Sequence, residues 1–493
     1  MQPLVDLLYL PRDHWDDAVV RDKFARALSE RYAHVKDVST KRNDERKLQL
    51  RVNAQKDPKG VPFAALLPAE QEESGPYGGM SFVVFPPDGA GPSLVAMVVG
   101  TNGLAPDEEI LGRPGHARKC AAVASWLNSR SPGSAWAKRD PTRIDVDLPE
   151  LLAEPLGAWK KACDSYGKVI YATFRPPLDR DQASEQLVAD AIAAFVDLWM
   201  SERRIRAKKP FDQDAERVRR AWLSRVTPTI SVDDVASLLA RRRFVVLEGP
   251  PGTGKTRLAE QLLNGAYEKR GRVVQFHPST TYERFIGGLQ PQQGGHLGFT
   301  FAPVPGVLMD AASEAEADPA HRYLLVIDEI NRADLAKVLG EAIYLFEPGA
   351  PDRTVTLAYD FGGRGRTFRI PPNLDVVGTM NTADRSIALL DVAVRRRFAF
   401  VPVWPQLSAV EAASEPRMRQ AFHDLMLLFV EHASDDALAL MPGHSYFFAR
   451  DADAEIKLGT ELRPLLEEYL AQGYVSGFAD HVRAWLDLNV RGG

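Results

Sequence analysis

A run of eight residues, Gly249–Thr256 (GPPGTGKT), has the spacing of a phosphate-binding loop. The run follows the apolar segment FVVL and precedes the helical segment RLAEQLL, which is the strand-loop-helix context that such a loop requires. Its glycines allow backbone N–H groups to close around phosphates, and the start of the helix adds the positive end of its dipole. Glycines that only formed a tight turn would not require Lys-Thr to follow them, so the run predicts a nucleotide site.

Two carboxylates are expected to complete the phosphate and metal chemistry. Lys255 should reach the β- and γ-phosphates, while the Thr256 hydroxyl takes a position on Mg²⁺. Asp328 and Glu329 end a second apolar strand, where Asp328 would hold Mg²⁺ mostly through water and Glu329 would polarise the attacking water. The predicted nucleotide-binding residues are Gly249, Pro250, Pro251, Gly252, Thr253, Gly254, Lys255, Thr256 and Arg257.

A third apolar strand also ends in a polar residue, Asn381. An amide at that position can hydrogen-bond both the γ-phosphate and the lytic water. Three consecutive arginines, Arg395, Arg396 and Arg397, then precede another apolar strand. An arginine supplied by a neighbouring subunit stabilises a phosphoryl transition state by several orders of magnitude in rate. Simple surface charge is the alternative interpretation of the three arginines.

Short apolar strands alternate with helical segments over residues 230–405, which predicts a buried parallel sheet in an α/β core. Residues 406–493 are predicted to be mostly helical, with an apolar stripe that includes Leu462, Leu466 and Tyr469. The strand candidates of the core are Phe244–Leu247, Val273–Phe276, Tyr323–Ile327, Leu374–Val377 and Phe398–Val403.

Residues 1–200 mix helical and strand signals and form a separate α+β domain in this interpretation. Asp22–Val38 is predicted to be a helix, Ser81–Phe85 and Leu94–Val99 a strand pair, and Ser184–Met200 an amphipathic helix. Residues 201–229 resemble a basic helical connector, because Glu202–Arg225 holds nine basic and four acidic residues. Such a charge run is usually a solvated face, and a phosphate-contacting strip is the alternative.

Composition narrows the class of protein. The formal net charge is -5, so there is no overall basic surface for nucleic acid. The two cysteines, Cys120 and Cys163, argue against a disulfide scaffold or a cysteine-built zinc site. No run approaches the roughly 18 apolar residues of a membrane helix, and the amino terminus has no basic leader, so we expect a cytoplasmic protein without a membrane partner.

The combined motifs resemble the McrB branch of AAA+ proteins, the motor subunits of McrBC modification-dependent restriction systems. The resemblance implies an AAA+ α/β core with a C-terminal helical lid. It also implies a ring, expected to be a hexamer, with ATP or GTP as substrate and a separate McrC-like nuclease as partner. Its motifs are DEINRAD (Asp328–Asp334), GTMNTADRSIALLD (Gly378–Asp391), RRRF (Arg395–Phe398), VQFHPSTTYERFIGGLQP (Val274–Pro291) and GHSYFF (Gly443–Phe448).

The same resemblance implies roles for individual residues. Asn381 would be sensor 1, and Arg396 with Arg397 would be presented to the neighbour's nucleotide. Asn331 would help to position the catalytic water or its neighbours. The N-terminal region of such proteins generally reads the target, for example a modified base in DNA. The preference for ATP or GTP stays open.

Three further segments are interpreted with alternatives. Arg353–Leu357 and Thr367–Ile370 predict a hairpin with Arg364 and Arg366 near its tip, which faces a pore or a docked partner, or else only solvent. His444 and Ser445 either approach the nucleotide or pack between helices. Gly112–Lys119 is a local basic cluster that, with Trp126, Trp136 and Trp159, could form a base-reading pocket. Tryptophans are more often core residues.

Two other functions share parts of this pattern. A MoxR-like protein-remodelling chaperone has a similar DEINRA-type strand end, but the MNTADRS and GHSYFF segments argue against it. A nucleotide-gated sensor switch would not need Glu329 or the arginines. We therefore expect an NTPase that remodels or moves DNA in a restriction system.

Overall fold

Separate clusters of buried apolar side chains divide the chain into two units, one made mainly of residues 1–227 and the other mainly of residues 228–493. The computed structural model describes residues 1–33, 48–54, 60–72, 74–294, 298–347, 349–362, 365–383 and 392–490. Among these residues, no helix has both the length and the apolar character needed to cross a bilayer.

The first unit is built on a six-stranded antiparallel sheet with the order β1-β2-β3-β4-β6-β5. Every residue of β3 and β4 is buried, and all of them are apolar except Ser81, whose hydroxyl donates to the Val98 carbonyl. Its helices are α1 (Gln2–Leu8), α2 (Asp17–Arg31), α3 (Glu108–Leu111), α4 (Pro114–Arg130), α5 (Lys160–Tyr166), α6 (Gln182–Glu202) and α7 (Phe211–Leu223). Its strands are β1 (Leu48–Asn53), β2 (Phe63–Pro68), β3 (Met80–Phe85), β4 (Leu94–Val99), β5 (Ala135–Ala137) and β6 (Ile170–Phe174).

The predicted strand pair of this unit is confirmed, since β3 and β4 pair antiparallel with Phe85 opposite Leu94. The helix predicted from Ser184 is also confirmed within α6. The helix predicted from Asp22 to Val38 was misplaced. It begins at Asp17, because the Asp16 side chain caps it by accepting from the Val19 N–H, and it ends at Arg31. Residues 34–38 lie outside the described chain.

Residues 201–229, expected to be a solvated connector, include α7, which packs into the first core through Val218 and Trp222. Part of its charge is neutralised within the unit. Arg217 Nη2 donates to Asp190 Oδ1 at 2.6 Å and to Asp214 Oδ1 at 2.8 Å. The charge run alone could not reveal this, because Asp190 is far away in sequence.

The second unit is built on a five-stranded parallel sheet with the order β15-β7-β14-β11-β8. All five predicted strand segments are found in it. Its strands are β7 (Phe244–Gly249), β8 (Gly271–Gln275), β11 (Tyr323–Asp328), β14 (Leu374–Asn381) and β15 (Ala399–Pro402). Alternate residues enter two different cores, with Phe244 and Val246 on one face and Val245 and Leu247 on the other. The sheet is therefore covered on both faces, as an α/β fold requires.

Helices and two small hairpins surround this sheet. One hairpin pairs β9 (Gly287–Gln293) with β10 (Phe299–Pro305), and the other pairs β12 (Val355–Thr356) with β13 (Thr367–Phe368) as predicted. The helices that precede or connect the strands are α8 (Val232–Arg242), α9 (Lys255–Asn264), α10 (Tyr282–Phe285), α11 (Val307–Ala317), α12 (Leu335–Leu339) and α13 (Val392–Arg395).

The tail is helical, as the apolar stripe predicts, and Leu462, Leu466 and Tyr469 are buried. Its helices are α14 (Leu407–Ala413), α15 (Pro416–His432), α16 (Asp435–Leu438), α17 (Asp451–Lys457), α18 (Arg463–Ala471) and α19 (Ala479–Asn489).

A buried carboxylate anchors the amino-terminal part of β14. Asp375 is fully buried, and it accepts hydrogen bonds from the Tyr267 hydroxyl at 2.7 Å and from Arg322 Nε at 2.7 Å. A buried carboxylate is tolerated only when it is hydrogen-bonded. These partners therefore fix the N-terminal end of β14, and Asn381 lies at the other end of the strand.

Removal of one partner tests this anchor. Tyr267→Phe is expected to lower the free energy of unfolding by about 1–3 kcal/mol, because a hydrogen bond to a buried charge is lost. Chemical denaturation of the variant measures the change. Tyr344→Phe is the matched control, since that ring is 48% exposed and the change should be near zero. Equal stability of the two variants would contradict the anchoring role.

Candidate nucleotide site

The phosphate-binding loop connects β7 to α9. Gly252 and Gly254 both have a φ of 80°, a backbone region that favours glycine, and Gly254 immediately precedes the first residue of α9. Lys255 is 6% exposed, and its Nζ donates to the carbonyl oxygens of Gly249 at 3.0 Å and Pro250 at 2.8 Å. The loop therefore has the backbone conformation of a phosphate-binding loop, and hydrogen bonds to two loop carbonyls hold Lys255 in place.

Two oxygen-bearing side chains meet at the end of the loop. The Thr256 hydroxyl donates to Asp328 Oδ1 at 2.9 Å, which joins the start of α9 to the end of β11. Hydroxyl and carboxylate oxygens with substrate phosphates are the donor set that Mg²⁺ uses in such sites. Both side chains thus fit the magnesium site predicted from the sequence.

Glu329 follows Asp328 with an unusual backbone, φ 54° and ψ 47°. Its carboxylate accepts from Asn381 Nδ2 at 2.7 Å and from Arg332 Nε at 3.3 Å. A non-glycine residue in the left-handed region costs roughly 1–3 kcal/mol and persists only where its surroundings hold it. The predicted strand ends therefore meet, with Asn381 bonded directly to Glu329.

Thr379 is a site residue that the sequence interpretation missed. Its hydroxyl donates to Asp328 Oδ1 at 2.5 Å and accepts from the Glu329 N–H at 3.1 Å. The signal was present, because side chains two apart in a strand share a face, and Thr379 lies two residues before Asn381.

Asn331 lies in the 3-10 turn Ile330–Arg332 and is 5% exposed. Its Oδ1 finds no hydrogen-bond partner among the described residues. Asn331 is close in sequence to Asp328 and Glu329. It is buried, and no hydrogen bond among the described residues joins it to either carboxylate.

The three arginines differ in environment. The Arg395 guanidinium lies 5.2 Å from the centre of the Phe400 ring, and Arg397 is only 6% exposed. Arg396 is exposed. Of the two arginines expected to reach a neighbour, Arg396 is accessible as it stands and Arg397 is enclosed by its own unit.

The family model "AAA domain (dynein-related subfamily)" matches residues 244–398, which include four of the five strands of the sheet and the residues of the site. The Escherichia coli (strain K12) "Type IV methyl-directed restriction enzyme EcoKMcrB subunit" is 34% identical over 268 residues, 49% of this chain and 57% of that protein. Residues 244–398 are an AAA+ P-loop NTPase domain, and the chain is similar to the McrB subunit over about half of its length.

A second relative belongs to a different restriction system. The Bacillus subtilis (strain 168) "Type II restriction enzyme BsuMI component YdiS" is 30% identical over 189 residues, which cover 31% of the NTPase and 55% of that protein. The chain thus spans little more than half the length of each of these curated relatives.

A loop of the helical tail of the NTPase lies directly on the phosphate-binding loop. The Gly443 N–H donates to the Pro251 carbonyl at 3.1 Å, and the Ser445 N–H donates to the Gly252 carbonyl at 3.0 Å. A Cβ at Gly443 would lie 2.1 Å from the Gly252 carbonyl carbon, so only glycine permits this approach. The GHSYFF segment therefore connects the tail to the phosphate-binding loop, and an approach of His444 and Ser445 to a nucleotide stays a prediction.

His444 lines a cavity of about 160 Å³ beside the loop, together with Thr229, Ile230, Arg257, Trp404 and Gln406. Its Nδ1 accepts from the Gln406 backbone N–H at 3.2 Å. Burial, with the nearby Arg257 guanidinium as a second cause, lowers the pKa of His444 to about 4. The imidazole is therefore neutral at pH 7, and with Nδ1 accepting, its proton resides on Nε2.

The remaining candidate residues give a mixed outcome. Arg366 Nε donates to the Leu357 carbonyl within the predicted hairpin, while Arg364 lies outside the described residues. In the first unit, Trp126 is 7% and Trp159 is 3% exposed, so both rings are core residues. The basic cluster Gly112–Lys119 mostly forms the start of α4, where Lys119 Nζ donates to Glu202 at 2.5 Å.

The low pKa of His444 predicts a pH dependence. The unfolded chain protonates His444 near pH 6.5 and the folded chain near pH 4, so its contribution to stability is complete above pH 6.5. That contribution decreases as the pH falls from 6.5 towards 4. His444→Asn keeps an acceptor for the Gln406 N–H and should lose less thermal stability between pH 7.5 and 5.0 than the wild type. Parallel melting curves for the two proteins would refute this prediction.

Proposed function

We propose that this NTPase hydrolyses ATP or GTP at a site completed by a neighbouring copy of the chain, within a McrBC-like restriction system. The observation that carries the proposal is the meeting of Thr256, Asp328, Glu329 and Asn381 beside the phosphate-binding loop. This set contains a metal ligand pair, a carboxylate for water and an amide sensor, which a protein that only bound nucleotide would not need.

Each side chain has a defined task in this proposal. Thr256 and Asp328 would hold Mg²⁺, which would neutralise charge on the β- and γ-phosphates when bound. Glu329 accepts a hydrogen bond from the attacking water and orients it towards the γ-phosphate. Asn381 holds one carboxylate oxygen of Glu329 at 2.7 Å and so fixes the direction of the other. Asn331 supports the same segment from its buried position.

A ring, expected to be a hexamer, would bring the exposed Arg396 to the nucleotide of a neighbouring subunit. Arg396 points to solvent on the turn before β15, and phosphoryl transfer gains several orders of magnitude in rate from an arginine supplied in trans. In the ring, the guanidinium of Arg396 would bind the negatively charged phosphates of the nucleotide held by a neighbouring subunit. Arg397 then supports the turn from inside the unit, although our sequence interpretation paired it with Arg396.

The coupling to DNA and to a nuclease rests on the relatives. One is described as a subunit of a methyl-directed restriction enzyme and the other as a component of a restriction enzyme. We accordingly propose that hydrolysis drives remodelling or translocation of DNA in the cytoplasm, and that a separate McrC-like subunit cuts it. The first unit would recognise the target or the partner.

A MoxR-like protein-remodelling chaperone is the less favoured function, because both described relatives carry restriction names. The two functions differ in what stimulates hydrolysis. Turnover that rises with methylated DNA and a McrC-like partner supports the restriction motor. Turnover that rises only with unfolded protein supports the chaperone.

Glu329→Gln tests the assignment of the water-orienting carboxylate. Turnover of ATP and GTP should fall by about 10²–10⁴-fold, because an amide cannot accept the proton of the attacking water. Nucleotide affinity, measured by fluorescence titration, should be retained. Glu314→Gln, on α11 and paired with Arg272, is the control that should hydrolyse normally. Full turnover by Glu329→Gln would show that another group activates the water.

Arg396→Ala tests the shared site. Steady-state turnover should fall by about 10³-fold or more while nucleotide binding survives, because the lost charge acts only on the neighbour's transition state. Mixing this variant with Lys255→Ala protomers should recover part of the activity. Sites with an intact Lys255 on one side and an intact Arg396 on the other then form.

Arg395→Ala is the matched control, since Arg395 packs on Phe400 of its own chain. Its loss of turnover should be much smaller than that of Arg396→Ala. If the mixed sample co-assembles but stays inactive, Arg396 does not act across an interface.

A further inference from the structure

Thr379 lies in β14 with its side chain facing the C-terminal end of β11 and the N-terminal end of α9. It is 2% exposed and lies two residues before Asn381, so both side chains project from the same face of the strand. A threonine hydroxyl offers one donated proton and two acceptor lone pairs. The partners of this proton and these lone pairs show whether Thr379 does more than fill space in the core.

Both capacities of the hydroxyl are directed at the segment that carries the carboxylates. It donates to Asp328 Oδ1 at 2.5 Å and accepts from the backbone N–H of Glu329 at 3.1 Å. The Thr256 hydroxyl donates to the same Asp328 oxygen at 2.9 Å. Oδ1 is therefore held by two hydroxyls, and the rotation of the carboxylate is fixed.

The contact to Glu329 has a separate consequence. The left-handed backbone of Glu329 turns its N–H towards β14, and this N–H is satisfied by Thr379. Without that acceptor the N–H would lack a partner at a strained residue, and the backbone could relax towards an ordinary conformation. The direction of the Glu329 side chain depends on that backbone.

We propose that Thr379 is a positioning residue that sets the Asp328 carboxylate for a divalent cation and holds Glu329 in its left-handed backbone. This inference rests on the proposed function, because it assigns Asp328 to the metal and Glu329 to water. Residues behind a metal ligand orient it, and their loss typically weakens metal affinity or activity by about 10–100-fold.

Thr379→Val gives the sharpest test, because valine has the shape of threonine and removes only the hydroxyl. Mn²⁺ binding to the full-length protein, saturated with a non-hydrolysable nucleotide analogue, is measured from the electron paramagnetic resonance signal of free Mn²⁺. We expect Thr379→Val to bind Mn²⁺ about 10–100-fold more weakly. Thr379→Ser keeps the hydroxyl and should bind Mn²⁺ nearly as tightly as the wild type.

Turnover provides the second readout. Thr379→Val should show a lower kcat even at saturating metal, because Glu329 is released, while the KM for nucleotide changes little. Mn²⁺ affinity in Thr379→Val equal to the wild type would overturn the metal part of the inference, and an unchanged kcat would overturn the part concerning Glu329. If Thr379→Val does not fold, Thr379→Ala replaces it under the same criteria.

The outcomes also separate this inference from the proposed function. A wild-type protein that binds Mn²⁺ with nucleotide but turns over neither ATP nor GTP, alone or with DNA and partner, contradicts the proposed hydrolysis. The Mn²⁺ comparison between valine and serine still decides the role of Thr379. Conversely, an active wild type with indifferent Thr379 variants leaves the proposed function standing and removes only the inference.

Discussion

The parallel pairing of β14 with β7 on one side and β11 on the other is the constraint on which the site depends. In this register Asn381 lies opposite Gly249, and Gly378 lies opposite Ile327. A slip of one residue would turn Thr379 and Asn381 to the other face of the sheet, away from Asp328 and Glu329. The register is set along the strand by alternating apolar residues that enter two different cores, and by the buried Asp375 at its far end.

Much of this arrangement could be predicted from the sequence, because the glycine-lysine-threonine loop and the apolar strands are local signals. The strand segments, the hairpin at Val355 and the proximity of Asn381 to Glu329 all followed from such signals. Thr379 was missed because a threonine within an apolar strand is also a normal β-forming residue. The burial of Arg397 and the pairing of Arg217 with Asp190 depend on residues distant in sequence, so no local pattern could show them.

The tail contributes to the site through backbone atoms, which explains why its sequence signal is a glycine. Gly443 and Ser445 donate their N–H groups to carbonyls of the phosphate-binding loop, so these two contacts use none of the loop N–H groups that bind phosphates in such loops. The contact therefore supports the cradle without occupying it. A neutral His444 suits this position, because a second positive charge beside Arg257 would be costly in a partly buried cavity.

The Glu329 carboxylate accepts two hydrogen bonds of unequal strength, and this difference affects how the carboxylate can bind a water. Asn381 belongs to the central strand and donates at 2.7 Å, whereas Arg332 is 45% exposed in its side chain and donates at 3.3 Å. Each carboxylate oxygen has two lone-pair sites, so a water can be accepted while Asn381 stays bonded. The exposed ion pair with Arg332 contributes little energy and can open. Glu329 is thus fixed from the side of the sheet and can accept a water once the pair with Arg332 opens, as the role proposed for it requires.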